Sequence, residues 1–238
     1  MENKEIKTPI VEIFESIQGE GKSLGLPSIF IRFWGCSLRC TFQSETCDTP
    51  YAVFNKELNS KMMTTTDIII KIMKYKSTNI IFTGGEPLIH QKFINKLIFD
   101  IKSTIPRFYK FEVETNGTIA PESQTLQQID FFNISIKLKS SNQINRGYDK
   151  LRYNKDTINK FPINKSAFKF VITNQKDMCE IFKITKAHKD IKVYLMPQGT
   201  TRNEILNHNK EVVDMCIKNQ WIYSPREHIM IWNTEKGV

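Results

Sequence analysis

The sequence predicts an α/β protein: a partial, open β/α barrel with about six mainly parallel strands. Two observations carry this expectation. Apolar runs of strand length alternate with stretches of helix length, which is the pattern of right-handed crossovers in a parallel sheet. Polar and glycine-rich signatures follow the strands, and parallel α/β folds bind ligands at that edge. The 238 residues, 40% of them hydrophobic, are enough for one sizeable core, so a single domain over 1–238 is expected.

Residues 28–34 (SIFIRFW) read as the first strand. Residues 65–76 (TTDIIIKIMKYK) read as a helix, with Thr65 or Thr66 as its N-cap. Residues 79–82 form a second strand, 90–103 a helix, 110–114 a third strand and 131–136 a fourth. The polar stretch 140–163 is less regular and reads as a loop over the sheet or a small irregular insertion. Residues 167–172 form a fifth strand with a helix over 175–188, and 191–195 a sixth with a helix over 203–219. Residues 228–232 read as a short final strand.

The formal net charge is +9, but no run of five or six basic residues occurs, which argues against a dedicated nucleic-acid surface. The first twelve residues have no signal-type apolar core, and no stretch approaches the ~18 apolar residues of a membrane helix. A cytoplasmic, soluble protein is therefore expected, with its five cysteines reduced.

Three cysteines crowd together in Cys36-Ser-Leu-Arg-Cys40-Thr-Phe-Gln-Ser-Glu-Thr-Cys47. Thiolates suit iron–sulfur clusters or zinc, and a structural zinc site needs four ligands. His90, Cys179 or Cys216 would have to supply the fourth, and none has ligand-like neighbours. Three cysteines on one loop instead suit a cubane cluster with one open iron. Zinc, or unliganded core cysteines, remain as alternatives. Cys179 and Cys216 read as buried packing residues of helices.

Each remaining signature closes a strand: Gly84-Gly85-Glu86-Pro87, Thr115-Asn116-Gly117, Ser135-Ile136-Lys137 and Met196-Pro197-Gln198-Gly199. A plain turn explains the glycines and prolines but not the Cys, Glu, Lys and Thr beside them. The cysteine loop with GGEP resembles the radical S-adenosylmethionine superfamily, with C-x3-C-x6-C here in place of the usual C-x3-C-x2-C. The segments IFESIQGEG, PSIFIRFWGC, CDT, TGGEP, ETNG, YLMPQG and YSPREHIMIWNTEKGV, taken in order, narrow the likeness. Together they resemble the 7-carboxy-7-deazaguanine synthase family over nearly the whole chain. Insertions in the cluster loop occur in that family, and Ile136 stands where it usually has proline.

The resemblance implies a radical ring contraction of 6-carboxy-5,6,7,8-tetrahydropterin to 7-carboxy-7-deazaguanine and ammonia, on the route to queuosine-type deazapurines. It implies a 4Fe-4S cluster on Cys36, Cys40 and Cys47, S-adenosyl-L-methionine as a regenerated cofactor, and Mg2+ at Thr49. Gly84, Gly85 and Glu86 would meet the amino end of S-adenosylmethionine, the carboxylate accepting from the ammonium, and Ser135 and Lys137 would reach its ribose or carboxylate. Gln18, Gly19, Glu20, Arg32, Thr83 and His228 would contact the pterin. Arg32 lies inside a strand, where an unpaired charge is costly, and could meet the substrate carboxylate. Asp48 could instead pair with a basic neighbour or cap the loop. An electron donor such as flavodoxin or ferredoxin and a homodimer are also implied. The alternatives are another radical S-adenosylmethionine enzyme, such as a glycyl-radical activase, and a basic zinc- or cluster-containing RNA-binding protein. Neither accounts for QGEG and the C-terminal segment together.

Overall fold

A computed structural model describes residues 5–42, 45–141, 151–235 and 237. The elements in chain order are β1 (Thr8–Ile17), β2 (Pro27–Phe33), β3 (Thr41–Phe42), β4 (Glu45–Thr46), α1 (Lys56–Asn59), β5 (Lys61–Met63), α2 (Thr65–Ile72) and β6 (Asn79–Gly84). Then come α3 (Gln91–Thr104), β7 (Lys110–Thr115), α4 (Ser123–Gln128), β8 (Phe131–Ile134), α5 (Lys155–Ile158) and β9 (Ser166–Ile172). The chain ends with α6 (Asp177–Ala187), β10 (Lys192–Pro197), α7 (Arg202–Asn219), β11 (Ile222–Tyr223) and α8 (Glu227–Trp232).

One nine-stranded sheet runs in the order β11-β10-β9-β8-β7-β6-β2-β1-β5. The six expected strands are its parallel centre, β2 and β6 to β10, and β11 extends it in parallel. β1 and β5 add an antiparallel edge. The two end strands do not pair, so the sheet is open as expected.

The sheet has two unlike faces because side chains alternate along each strand. Ile29, Ile31, Ile80, Phe82, Phe111, Val113, Phe132, Ile134, Phe168 and Phe170 are all buried in one core with the apolar stripes of the helices. α3 contributes Phe93, Ile94, Leu97, Ile98 and Ile101, spaced as one helical face. The opposite face carries Arg32, Glu112, Glu114, Asn133 and Lys169 at the alternating positions.

Several expectations need correction. Residues 228–232 are not a strand but part of α8, a short apolar run whose period does not distinguish the two. The N-cap of α2 is Thr64, not Thr65 or Thr66: its hydroxyl accepts from the Asp67 amide while Asp67 bonds back to the Thr64 amide. Such a capping box is worth about 1 kcal/mol. Thr65 instead donates from its hydroxyl to Asp100. Cys179 is exposed, whereas Cys216 is buried as expected. Residues 142–150 of the irregular 140–163 stretch lie outside the described residues, and the rest holds α5 and short turns. Among the described residues, no helix is long and apolar enough to cross a membrane.

Candidate functional site

The expected signatures all lie at the carboxyl edge of the sheet, after β2, β6, β7, β8 and β10. The glycine pair after β6 is a seat for the cysteine loop. A Cβ on Gly84 would stand 2.1 Å from the Phe33 carbonyl oxygen, and one on Gly85 2.3 Å from that of Gly35. Only glycine lets the two loops approach this closely. The Glu86 amide then donates to the Gly35 carbonyl at 2.8 Å.

The Glu86 side chain points into the protein. Its fully buried carboxylate accepts from the Leu88 amide at 3.0 Å, the Asn116 amide at 2.7 Å and the Thr115 hydroxyl at 2.8 Å. Burial pushes its pKa up to about 7 against these bonds. The carboxylate expected to meet an ammonium group is already surrounded by protein donors, and it braces the loops after β6 and β7.

The extra residues before Cys47 have a simple shape. β3 and β4 pair antiparallel, Thr41 with Thr46 and Phe42 with Glu45. This pair of strands is a ribbon that leaves Cys40 and Cys47 as neighbours at its base. All three thiols are free. Burial pushes Cys36 up, Cys40 up to about 11 and Cys47 up to about 12, so none ionises unaided near neutrality. Burial also opposes the charge of Lys137, yet the adjoining Cys40, Asp48, Cys47 and Cys36 hold it above the usual lysine value. Lys137 donates to the Ser135 hydroxyl at 3.1 Å. Ile136, between them, is 2% exposed and packs into the helix-side core, which lets Ser135 and Lys137 face the opposite way.

On the far side of the rim, the QGEG turn and the C-terminal segment are stitched together. The Gly21 amide donates to the Ser224 hydroxyl at 2.8 Å, and the Glu227 amide to the Gly19 carbonyl at 2.9 Å. His228 lies so close that a Cβ on Gly19 would be 2.2 Å from its Nδ1. Burial lowers the pKa of His228, against the pull of Glu20.

Beneath the turn is a chain of paired charges. Lys169, 2% exposed, bonds Glu114 at 2.6 Å and Glu20 at 2.8 Å. Arg226 bonds Glu20 at 3.0 Å, Asp48 at 3.0 Å and the Gly199 carbonyl at 2.7 Å. Gln18 donates to Glu114 at 3.0 Å. Burial acts to raise Glu20, but Lys169 and Arg226 hold it well below the usual carboxylate range. Desolvation and the neighbouring Glu20 push Glu114 up to about 7 despite Lys169. Asp48 has the basic partner foreseen for it, Arg226. Arg32 is paired too: it meets Glu12, opposite it across β1 and β2, at 2.6 Å.

A cavity of about 430 Å³ unites these features, a volume suited to a small-molecule ligand. Gln18, Gly19, Glu20, Arg32, Thr49, Thr83, Gly84, Gly85, Ser135, Lys137 and His228 all line it. Glu86 does not, and neither do the three cysteines, although Asp48 and Thr49 next to Cys47 do. Glu114, Asn116, Lys169 and Arg226 line it as well, without having been assigned a role from sequence. The signal for Glu114 and Lys169 was available: like Arg32, they are charges inside apolar strand runs (FEVET, AFKFVI).

Among the described residues, no three His, Cys, Asp or Glu side chains form a ready-made metal-ligand group. The donor chemistry nonetheless fits a cluster: three free, half-buried thiols on one loop, beside a lysine charge. His90 is not a fourth ligand, since its ring nitrogens contact the Thr8 hydroxyl at 2.9 Å and the Trp34 carbonyl at 2.8 Å. Thr49 donates from its hydroxyl to Asp48 at 3.1 Å, an oxygen pair of the kind a hard cation shares with waters and substrate oxygens.

Comparison with known proteins agrees with this geometry. Residues 17–157 match the family described as a 4Fe-4S single cluster domain. The 7-carboxy-7-deazaguanine synthase of Halobacterium salinarum is 32% identical, over 94% of this chain and 90% of its own length. That of Pyrobaculum aerophilum is 30% identical over 96% of both chains. The crystal structure of QueE from Escherichia coli shares the fold, with a TM-score of 0.71 and 20% identity over 92% of this chain and 93% of its own. The chain belongs to the 7-carboxy-7-deazaguanine synthase family.

Proposed function

We infer that this enzyme converts 6-carboxy-5,6,7,8-tetrahydropterin to 7-carboxy-7-deazaguanine and ammonia, by radical S-adenosylmethionine chemistry. The observation that carries the reading is the cavity itself, which has Asp48 and Thr49, next to Cys47, at one side and a charged, hydrogen-bonding floor at the other. When bound, the 4Fe-4S cluster and S-adenosylmethionine supply the one-electron chemistry of the ring contraction.

The chain's residues supply binding, orientation and shelter. Cys36, Cys40 and Cys47 would hold the cluster. Gly84 and Gly85 offer backbone to the amino end of S-adenosylmethionine, and Ser135 and Lys137 offer a hydroxyl and a cation to its ribose or carboxylate. Gln18, Glu20 and Glu114 present oxygens and an amide to the donors and acceptors of the pterin ring, with Thr83 and Gly19 in the cavity wall. Arg32, steadied by Glu12, faces the same cavity and suits the substrate carboxylate. Thr49, with Asp48 beside it, would hold Mg2+ completed by substrate oxygens and water. His228, held over Gly19, closes the wall. A one-electron donor of flavodoxin or ferredoxin type and a homodimeric state belong to the same reading.

The test is anaerobic turnover. Reconstituted protein is mixed with the pterin, S-adenosylmethionine, magnesium and a reductant, and the product is identified by mass. The reading requires 7-carboxy-7-deazaguanine, lost on Cys47→Ala. Cleavage of S-adenosylmethionine without that product would refute the substrate assignment.

A further inference from the structure

Asn116, in the loop after β7, is 4% exposed and held from every side. Its amide N–H donates to Glu86 at 2.7 Å, which anchors its backbone to the buried brace. Its side-chain oxygen accepts from the Thr118 amide at 3.0 Å and the Thr118 hydroxyl at 2.7 Å. A backbone amide can only donate, so the orientation of the side-chain amide is fixed: oxygen toward Thr118, NH2 toward the cysteine loop. That NH2 group lies 3.1 Å from the Ser37 hydroxyl and 3.6 Å from the sulfur of Cys36.

We propose that Asn116 is a positioning residue for the cluster, donating an N–H···S hydrogen bond to the first of its three cysteine ligands. The inference rests on the proposed role of Cys36. A donor aimed at a ligand sulfur stabilises the more negatively charged, reduced cluster and raises its reduction potential. The arrangement also gives Glu86 a purpose its buried carboxylate does not find in a ligand: it fixes the loop from which Asn116 reaches the sulfur.

The experiment is an electron paramagnetic resonance titration of the cluster in reconstituted protein, with dithionite as reductant and without substrate. Asn116→Ala should load iron and sulfide as wild type does. At a fixed solution potential its ratio of reduced to oxidised cluster should fall about threefold, about 30 mV for one electron at 59 mV per tenfold. Asn116→Asp, which replaces the donor by a negative charge, should fall further. If Asn116→Ala does not load a cluster, Asn116→Ser keeps the backbone bond to Glu86 with a side chain too short to reach Cys36, and it should show the same fall. Loaded variants with the wild-type potential would overturn the proposal. A wild-type protein that loads no cluster would instead overturn the reading on which it rests.

Discussion

The two faces of one sheet are built from the same strands by opposite rules. On β7 to β9, Phe111, Val113, Phe132, Ile134, Phe168 and Phe170 face the helices and are all but fully buried among other apolar groups. One position along, Glu112, Glu114, Asn133 and Lys169 face the cavity side. There Glu112, Asn133 and Lys169 are as deeply buried and Glu114 is partly exposed, and each charge is tolerated because another group holds it: Lys169 between two carboxylates, Glu112 bonded to Ser23 and Asn133. The helix face supplies stability, whereas the cavity face uses some of that stability to keep charges ordered where a ligand can read them. Substitutions on the two faces should therefore fail in different ways.

The largest effect belongs to the rim that joins them. Cys47→Ala should abolish the visible iron–sulfur absorbance and reduce turnover to background while the fold survives in circular dichroism. On the helix face, Phe168→Ala should cost about 3–5 kcal/mol in denaturant unfolding, with pterin affinity unchanged in the protein that remains folded. On the cavity face, Lys169→Met leaves Glu20 and Glu114 without their shared cation. It should cost about 3 kcal/mol and weaken pterin binding at least about tenfold. Wild-type affinity in that variant would break the comparison.

A smaller effect is set by pH. Glu114 titrates at about 7, above its ordinary 4.5, because burial favours its neutral form. It gains a proton as pH falls through 7 and ceases to be a carboxylate acceptor for pterin N–H groups. Pterin affinity should therefore drop by up to about tenfold per unit below pH 7, and this dependence should vanish in Glu114→Gln. The smallest effect is at the ribbon. Deleting residues 42–45 restores C-x3-C-x2-C spacing and removes the β3–β4 pairing but none of the three thiols, so iron content should stay near that of the wild type.

What the sequence made legible follows the same division. The parallel strands and their helices were readable because an apolar face leaves a period. β1 was not among the expected strands: its alternation (PIVEIFESI) runs into the QGEG turn, and it pairs antiparallel with β2, the next strand in the chain. α8 was misread because HIMIW is too short for period to decide between helix and strand. At the site, strand-end placement pointed to the loops, residue type to Cys36, Cys40, Cys47 and Arg32, and the family resemblance to Gln18 and Glu20; Gln18, Glu20 and Arg32 line the cavity. Side-chain direction is not written in a motif. Glu86 stands in a ligand signature yet points into protein, while Lys169, in no signature, and Arg226, in the YSPREH segment but with no role assigned from it, hold the floor together.

The central claim is that the cysteine loop and the charged floor serve one cavity and hence one substrate. Electron–nuclear double resonance on the reduced cluster, with S-adenosylmethionine and a pterin carrying 13C at its carboxylate, tests this most directly. The account predicts a resolved dipolar 13C coupling to the cluster, diminished in Arg32→Met at matched occupancy. A pterin bound at full occupancy with no detectable coupling would place it outside this cavity and contradict the account.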